Sequence, residues 1–320
     1  MRDRTPAIVA ESRDVLAHHA RTFNLASVFL TPAQRDDAAV VYAFCRTIDD
    51  LVDEAAHPRI GRQEVEAIRS MVEGRTAPTP LVEAFLRVAD RTGFALHAAT
   101  DLMDGVLSDV GDVTVQDDGE LIRYGYSVAG TVGLMMCGVI GVSEDWALSH
   151  AIDLGIAMQI TNICRDVAED AGRGRVYLPA ARLRLAGVEP DDLRDGRVDP
   201  ATIAPVVEDL LHLADEYYRS GDQGMKAIPA RPRLAIFAAS RVYRAIGAEI
   251  RRNQFDITSG RAVVPQWRKI AWVTSAITQA LICPMVPSQA HNPDLHSPLN
   301  DFMVPNRAWG DSGQRVVVGT

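Results

Sequence analysis

Two segments of the chain carry aspartates four residues apart inside an otherwise apolar helical pattern. Asp49 and Asp53 lie within residues 45–54, and Asp166 and Asp170 within residues 159–170. On an α-helix, i and i+4 stand one above the other on the same face. Around the first pair are Val40, Ala43, Phe44, Ile48, Leu51 and Val52; around the second are Ile156, Met158, Ile160 and Ile163. Stacked carboxylates repel, and among apolar neighbours they need a cation to hold them. Such a chain has to bring two acidic helices to a shared, cation-containing space.

Each stripe carries more than aspartate. At 3.6 residues per turn, Tyr42, Arg46, Asp49 and Asp53 fall within an arc of about 60°, and Gln159, Asn162, Asp166 and Asp170 within about 80°. An acidic stripe is ordinarily a solvated face, but the apolar flanks speak against that here. The second stripe runs into Arg173-Gly174-Arg175-Val176-Tyr177-Leu178-Pro179, two guanidinium groups around a glycine. A capped helix with basic residues at its C-terminus accounts for Arg173. It leaves Gln159, Asn162 and the two aligned aspartates unexplained. Carboxylates bound to Mg²⁺ beside arginines suit the departure of a diphosphate.

The rest of the chain reads as helix after helix. Thr31-Pro32 opens a pattern over 37–56, with Thr31 as N-cap and Pro32 in the first turn. Patterns over 65–73, 81–93, 96–110, 146–170, 203–221 and 231–253 follow. The Gly/Ala-rich stretch 124–141 predicts close backbone packing or a kink, because its five glycines weaken a helix. Residues 177–200 predict a loop or short helices, and β-alternation is confined to fragments such as 315–318. These readings predict one all-α domain over 1–285 and an irregular or mobile tail over 286–320.

The net charge of −9 leaves no basic surplus for a nucleic-acid partner. It leaves room for an anionic small substrate, since bound metal reverses the local sign. The four cysteines are widely spaced, fitting reduced thiols in a cytoplasmic protein. No signal-peptide core follows the N-terminus. The longest apolar run, 270–286, is interrupted by Thr274, Ser275, Thr278 and Gln279, which suits a buried helix better than a span.

Taken together, these motifs resemble the squalene/phytoene synthase family of head-to-head prenyl transferases. Residues 42–53 match its first aspartate motif, 159–179 match its second nearly letter for letter, and 124–134 resemble its channel-lining helix. The resemblance spans about residues 18–270 and is nearest in wording to bacterial phytoene synthases. It implies an all-α isoprenoid-synthase-type helical bundle around a central cavity. It also implies a Mg²⁺-dependent condensation (Mn²⁺ is the alternative ion) of two geranylgeranyl diphosphates to phytoene, through a cyclopropylcarbinyl diphosphate. By position, Asp49, Asp53, Asp166 and Asp170 would hold the metal, with Asn162 beside them. Arg46, Arg165, Arg173 and Arg261 would contact diphosphate, and Gln159 would contact substrate. Phe23, Tyr42, Tyr124 and Tyr243 would line the pocket and shelter cations with their ring faces. Core packing is the plainer reading of Tyr124 and Tyr243.

The family's usual serine is Ala20 here, so Arg21 or Thr22 would have to serve that edge. Enzymes making squalene, dehydrosqualene or presqualene diphosphate from farnesyl diphosphate share these motifs. A non-catalytic scaffold would be expected to have lost aspartates, and both pairs are intact. Peripheral membrane contact for product release and a downstream desaturase complete the partners the resemblance implies.

Overall fold

Proline starts many of these helices. Pro32, Pro58, Pro80, Pro190 and Pro200 each occupy the first turn, where a missing N–H costs nothing. Thr31 makes a capping box with Gln34, and Thr79 and Asp199 accept backbone N–H groups at their own caps. The computed structural model describes residues 5–256, 278–279 and 290–300. Its helices are α1 (Thr5–His19), α2 (Arg21–Ala26), α3 (Pro32–Asp53), α4 (Pro58–Val72), α5 (Pro80–Thr92) and α6 (His97–Ser108). They continue with α7 (Asp118–Gly125), α8 (Thr131–Ile140), α9 (Trp146–Gly172), α10 (Ala180–Leu185), α11 (Pro190–Arg194), α12 (Pro200–Gly224) and α13 (Ala230–Arg252). The all-α expectation holds. The helix expected over 65–73 begins about two turns earlier, at Pro58, where His57 Nδ1 accepts from the Arg59 backbone N–H.

α9 runs through the middle of the bundle, packed against α8, α12 and α13. On the other side of the core, α3 lies on α5, with Phe44 and Phe85 stacked at a ring separation of 3.7 Å. The Gly/Ala-rich stretch behaves as its composition predicts. A π-turn, Tyr126–Gly130, joins α7 to α8, and the backbone of this stretch presses on α9. A Cβ on Gly155 would stand 2.4 Å from the Ala129 carbonyl oxygen, so only glycine fits that crossing.

Two elements lie outside the helical reading. β1 (Val113–Thr114) and β2 (Arg175–Val176) form a two-residue parallel ladder that pins the end of the second motif beside the loop after α6. Within the tail expected to be irregular, Pro293–Leu299 forms a 3₁₀ segment with Leu299 buried. The Tyr217 hydroxyl donates to the Leu295 carbonyl at 2.7 Å, which anchors that segment to α12. That part of the tail is ordered by packing which its own composition does not announce. The apolar run over 270–286 lies outside the described residues, save Thr278 and Gln279, as does the fragment 315–318. Among the described residues no helix is long and apolar enough to cross a membrane.

Candidate active site

α3 and α9 wall opposite sides of an apolar cavity of about 320 Å³. Its polar end is built from α3 by Tyr42, Arg46 and Asp49 and from α9 by Gln159 and Asn162, with Phe23 and Tyr243 joining them. The first halves of the two stripes thus share this cavity, while Asp53 borders the neighbouring basin and neither Asp166 nor Asp170 is among the residues lining either space. Away from that end the lining is mainly Leu, Val, Met, Ile, Ala and Gly, with His150 among them. On α9 it extends from Asn162 back to Ala147, about 22 Å at 1.5 Å per residue. Phe23 and Tyr243 pack together with ring centroids 5.6 Å apart.

A second, polar basin of about 680 Å³ adjoins it, bordered by Arg46, Asp53, Asp109, Glu169, Arg173 and Arg175 among others. Arg46 borders both spaces. Its Nη2 pairs with Asp50 at 2.5 Å, while its buried Nε has no hydrogen-bond partner among the described residues. Arg175 holds Asp53 at 2.7 Å, and Arg173 approaches the same carboxylate at 3.6 Å. A long-range ion pair therefore ties the first motif to the end of the second.

The carboxylates carry the mark of crowding. Burial pushes Asp49 up to about 7, with Arg46 opposing and Asp53, Asp109 and Asp50 adding to the rise. Asp170 is also pushed up to about 7, first by burial and then by Asp166 and Glu169, against the pull of Arg173 and Arg175. Burial lifts Tyr42 to about 12, so its phenol stays protonated. Asp166 is gripped by its neighbour Arg165, with Nε at 2.8 Å and Nη2 at 2.5 Å. In this state Arg165 orients Asp166 and is not free to meet a diphosphate.

Among the described residues, no three motif carboxylates bring their oxygens within 4.8 Å of one another. Mg²⁺ is commonly held by one or two carboxylates together with substrate phosphate oxygens. The donor set fits that ion. Asp49, Asp53, Asp166 and Asp170 offer only hard oxygens, and burial together with neighbouring carboxylates pushes Asp49 and Asp170 up. Asn162 Oδ1 is buried without a hydrogen-bond partner, while its Nδ2 donates to Gln159 Oε1 at 3.4 Å. An unpaired buried acceptor beside these carboxylates is what a cation would satisfy.

One expectation is corrected. Tyr124 is not among the residues lining the apolar cavity. Its hydroxyl donates to Asp109 Oδ2 at 2.8 Å and its ring stacks on Tyr177 at 4.7 Å, so it packs against the core with its hydroxyl satisfied, the plainer of the two readings. The Arg21 side chain and all of Arg261 lie outside the described residues. The motif-adjacent thiols are inert: burial raises Cys45 and lifts Cys164 to about 12.

Sequence reasoning missed Asp109, which Tyr124 and Tyr177 jointly hold at 2.8 and 2.7 Å. Burial lifts it to about 6, against those two hydroxyls and Arg175. It belongs to no motif, and it reaches the neighbourhood of Asp53 because it caps α6, which packs on α3. Arg175 and Tyr177 were visible beside Gly174, but nothing local revealed their partners. Gly174 takes φ +81°, and a Cβ there would strike Asp112 Oδ1 at 2.5 Å, so this turn needs glycine.

The family profile described as squalene/phytoene synthase matches residues 16–268. The chain is 33% identical over 288 residues to a phytoene synthase of Pseudescherichia vulneris, covering 86% of this chain and 93% of that one. With a phytoene synthase of Thermus thermophilus it shares 37% over 273 residues, covering 84% and 92%. Among solved structures, a dehydrosqualene synthase superposes with a TM-score of 0.78 at 25% identity, over 86% of this chain and 97% of that one. A squalene synthase of Alicyclobacillus acidocaldarius gives a TM-score of 0.70 at 24% identity, over 80% and 97%, and speaks for the fold. The helical bundle, the paired aspartate stripes and these relatives agree: the chain is a prenyl transferase and belongs to the squalene/phytoene synthase family.

Proposed function

We propose that this enzyme condenses two geranylgeranyl diphosphates head to head to phytoene, through a cyclopropylcarbinyl diphosphate and with Mg²⁺ at the motif aspartates. The observation that carries the reading is the junction at Arg46. There an apolar cavity opens against a carboxylate- and arginine-lined basin, with Asp49 and Asn162 left short of positive charge. The C20 substrate is favoured because relatives at 33% and 37% identity are phytoene synthases.

Mg²⁺, when bound, supplies the charge that lets diphosphate depart. Arg173 and Arg175 border the basin where the departing anion would gather, and their fork geometry suits phosphate oxygens. Arg175 also fixes Asp53, so one residue sets a ligand and faces the anion. The apolar cavity keeps water from the allylic cation and from the rearranged cation that loses a proton to give phytoene. Phe23, Tyr42 and Tyr243 present ring faces at its polar end, where positive charge develops. A hydrocarbon product must leave for a lipid phase or a following enzyme. Contact with a membrane surface from the cytoplasmic side, and a desaturase acting on the product, are the partners this reading implies.

Purified protein with Mg²⁺ and either geranylgeranyl or farnesyl diphosphate, followed by hydrocarbon analysis, tests the reading. Phytoene from the C20 substrate is the expected product. A C30 hydrocarbon alone would move the assignment to a dehydrosqualene-type activity, the one that the 25%-identical structural relative favours. No turnover of either substrate would leave a non-catalytic role. Asp49→Ala and Asp166→Ala are each expected to abolish turnover with far-ultraviolet circular dichroism unchanged.

A further inference from the structure

Far from the motif aspartates, three side chains converge on a different chemistry. Asp153 lies on α9, nine residues before Asn162, which places it about 13 Å away along the helix axis. It is fully buried and points toward α12 and the C-terminal segment. His291 Nε2 stands 2.8 Å from its Oδ2, and His296 Nε2 stands 2.8 Å from its Oδ1. The two imidazole rings are 4.4 Å apart, and one ligand atom from each of the three residues lies within 4.8 Å of the others.

We infer that Asp153, His291 and His296 bind one divalent transition-metal ion of the zinc class, clasping the C-terminal segment onto α9 and α12. Four residues separate the histidines, within the His-x₃₋₅-His spacing of zinc sites. Two imidazole nitrogens with one carboxylate oxygen select zinc-like ions over Mg²⁺, which prefers all-oxygen surroundings. The carboxylate is further braced from outside. The Ser220 hydroxyl donates to Asp153 Oδ2 at 2.5 Å, and His150 Nδ1 lies 2.8 Å from the Ser220 oxygen. Carboxylate ligands are commonly oriented by such outer hydrogen bonds. Three protein ligands leave one position of a tetrahedron for water.

The clasp has a place in the architecture. His150 and Ala151, on the same turn of α9, line the apolar cavity away from its polar end. The segment bearing the histidines is also held by the Tyr217 hydrogen bond, by a long one from Arg123 to the Pro298 carbonyl at 3.5 Å, by packing on α7 and by buried Leu299. A bound ion would join that segment directly to the helix forming the cavity wall.

The test uses the untagged full chain, stripped with chelator and then equilibrated with Zn²⁺ in excess Mg²⁺ to occupy the oxygen-ligand site. One zinc per chain is expected by elemental analysis and titration calorimetry. Co²⁺ in its place should show the visible absorption of a four-coordinate site. His291→Ala combined with His296→Ala should abolish both signals, and Ser220→Ala should weaken binding about 10- to 100-fold. Asp49→Ala and Asp166→Ala should leave zinc uptake intact. Asp153→Asn tests the third ligand. Should that buried change impair folding, the histidine pair decides alone, since it sits on the outer segment. No zinc uptake by the wild-type chain would overturn the inference. Zinc retained at equal affinity by the double histidine variant would overturn it as well, showing that uptake belongs to a hydrogen-bonded latch or to other residues.

Discussion

Replacing Asp49 with asparagine should make the metal-free protein more stable near neutral pH while destroying the metal site. The structure holds this carboxyl near 7 against an ordinary 3.8, chiefly through burial. Between those two values the folded state binds more protons than the unfolded state, so stability falls as pH rises through that interval. With those limits the fall is about 2.5 kcal/mol between about pH 5 and about pH 7.5, and the full cost at high pH is about 4 kcal/mol. Asparagine keeps the shape of the protonated acid and cannot ionise, so it should recover most of that cost. The assay is urea unfolding in chelator at several pH values, followed by circular dichroism. His150 runs the other way: burial lowers it, so its contribution strengthens as pH rises toward the ordinary imidazole value. It is common to wild type and variant, and the difference between their profiles cancels it. Adding Mg²⁺ should flatten the wild-type profile, because an ion bound only by the folded state stabilises by mass action, and should do far less for Asp49→Asn. Parallel wild-type and variant profiles in chelator would refute the crowded-carboxylate account.

Three further outcomes follow from particular contacts. Arg175→Ala frees Asp53 and removes a basin guanidinium, so kcat/KM should fall at least tenfold with a weaker Mg²⁺ requirement curve, and Arg175→Lys should not restore it, because a point charge cannot repeat the fork geometry. Gly155→Ala forces a methyl onto the Ala129 carbonyl and should cost about 1–3 kcal/mol by thermal unfolding. Ala147→Phe fills the far end of the α9 wall, so the ratio of kcat/KM for geranylgeranyl over farnesyl diphosphate should drop about tenfold or more in competition assays.

How far such features can be read ahead depends on whether their cause is local. The alignment within each stripe was legible because period and apolar flanks are properties of one helix at a time, and Thr31-Pro32 announced the start of α3 for the same reason. The close crossing of the Gly/Ala-rich stretch over α9 was also foreseeable, since small residues leave few other ways to bury that surface. Tyr124 defeated the pocket-lining reading because a tyrosine is apolar in its ring and polar at its tip. Which end governs its placement depended on Asp109, fifteen residues away and marked by no motif.

Asp109 carries the wider lesson about the basin. Asp109 caps the end of α6, which packs on α3, and the loop that follows meets the end of the second motif through two parallel ladder pairs and a glycine at φ +81°. No periodicity in a two-residue strand can reveal such a pairing. The groups gathered there act on three carboxylates: Asp53 and Asp109 raise Asp49, Asp53 raises Asp109, and Arg175 lowers both Asp109 and Asp170. The strength of the cation site is therefore set partly by a residue outside both aspartate pairs. Substrate-assisted binding of Mg²⁺ should respond to changes at Asp109 even though the motif oxygens remain in place.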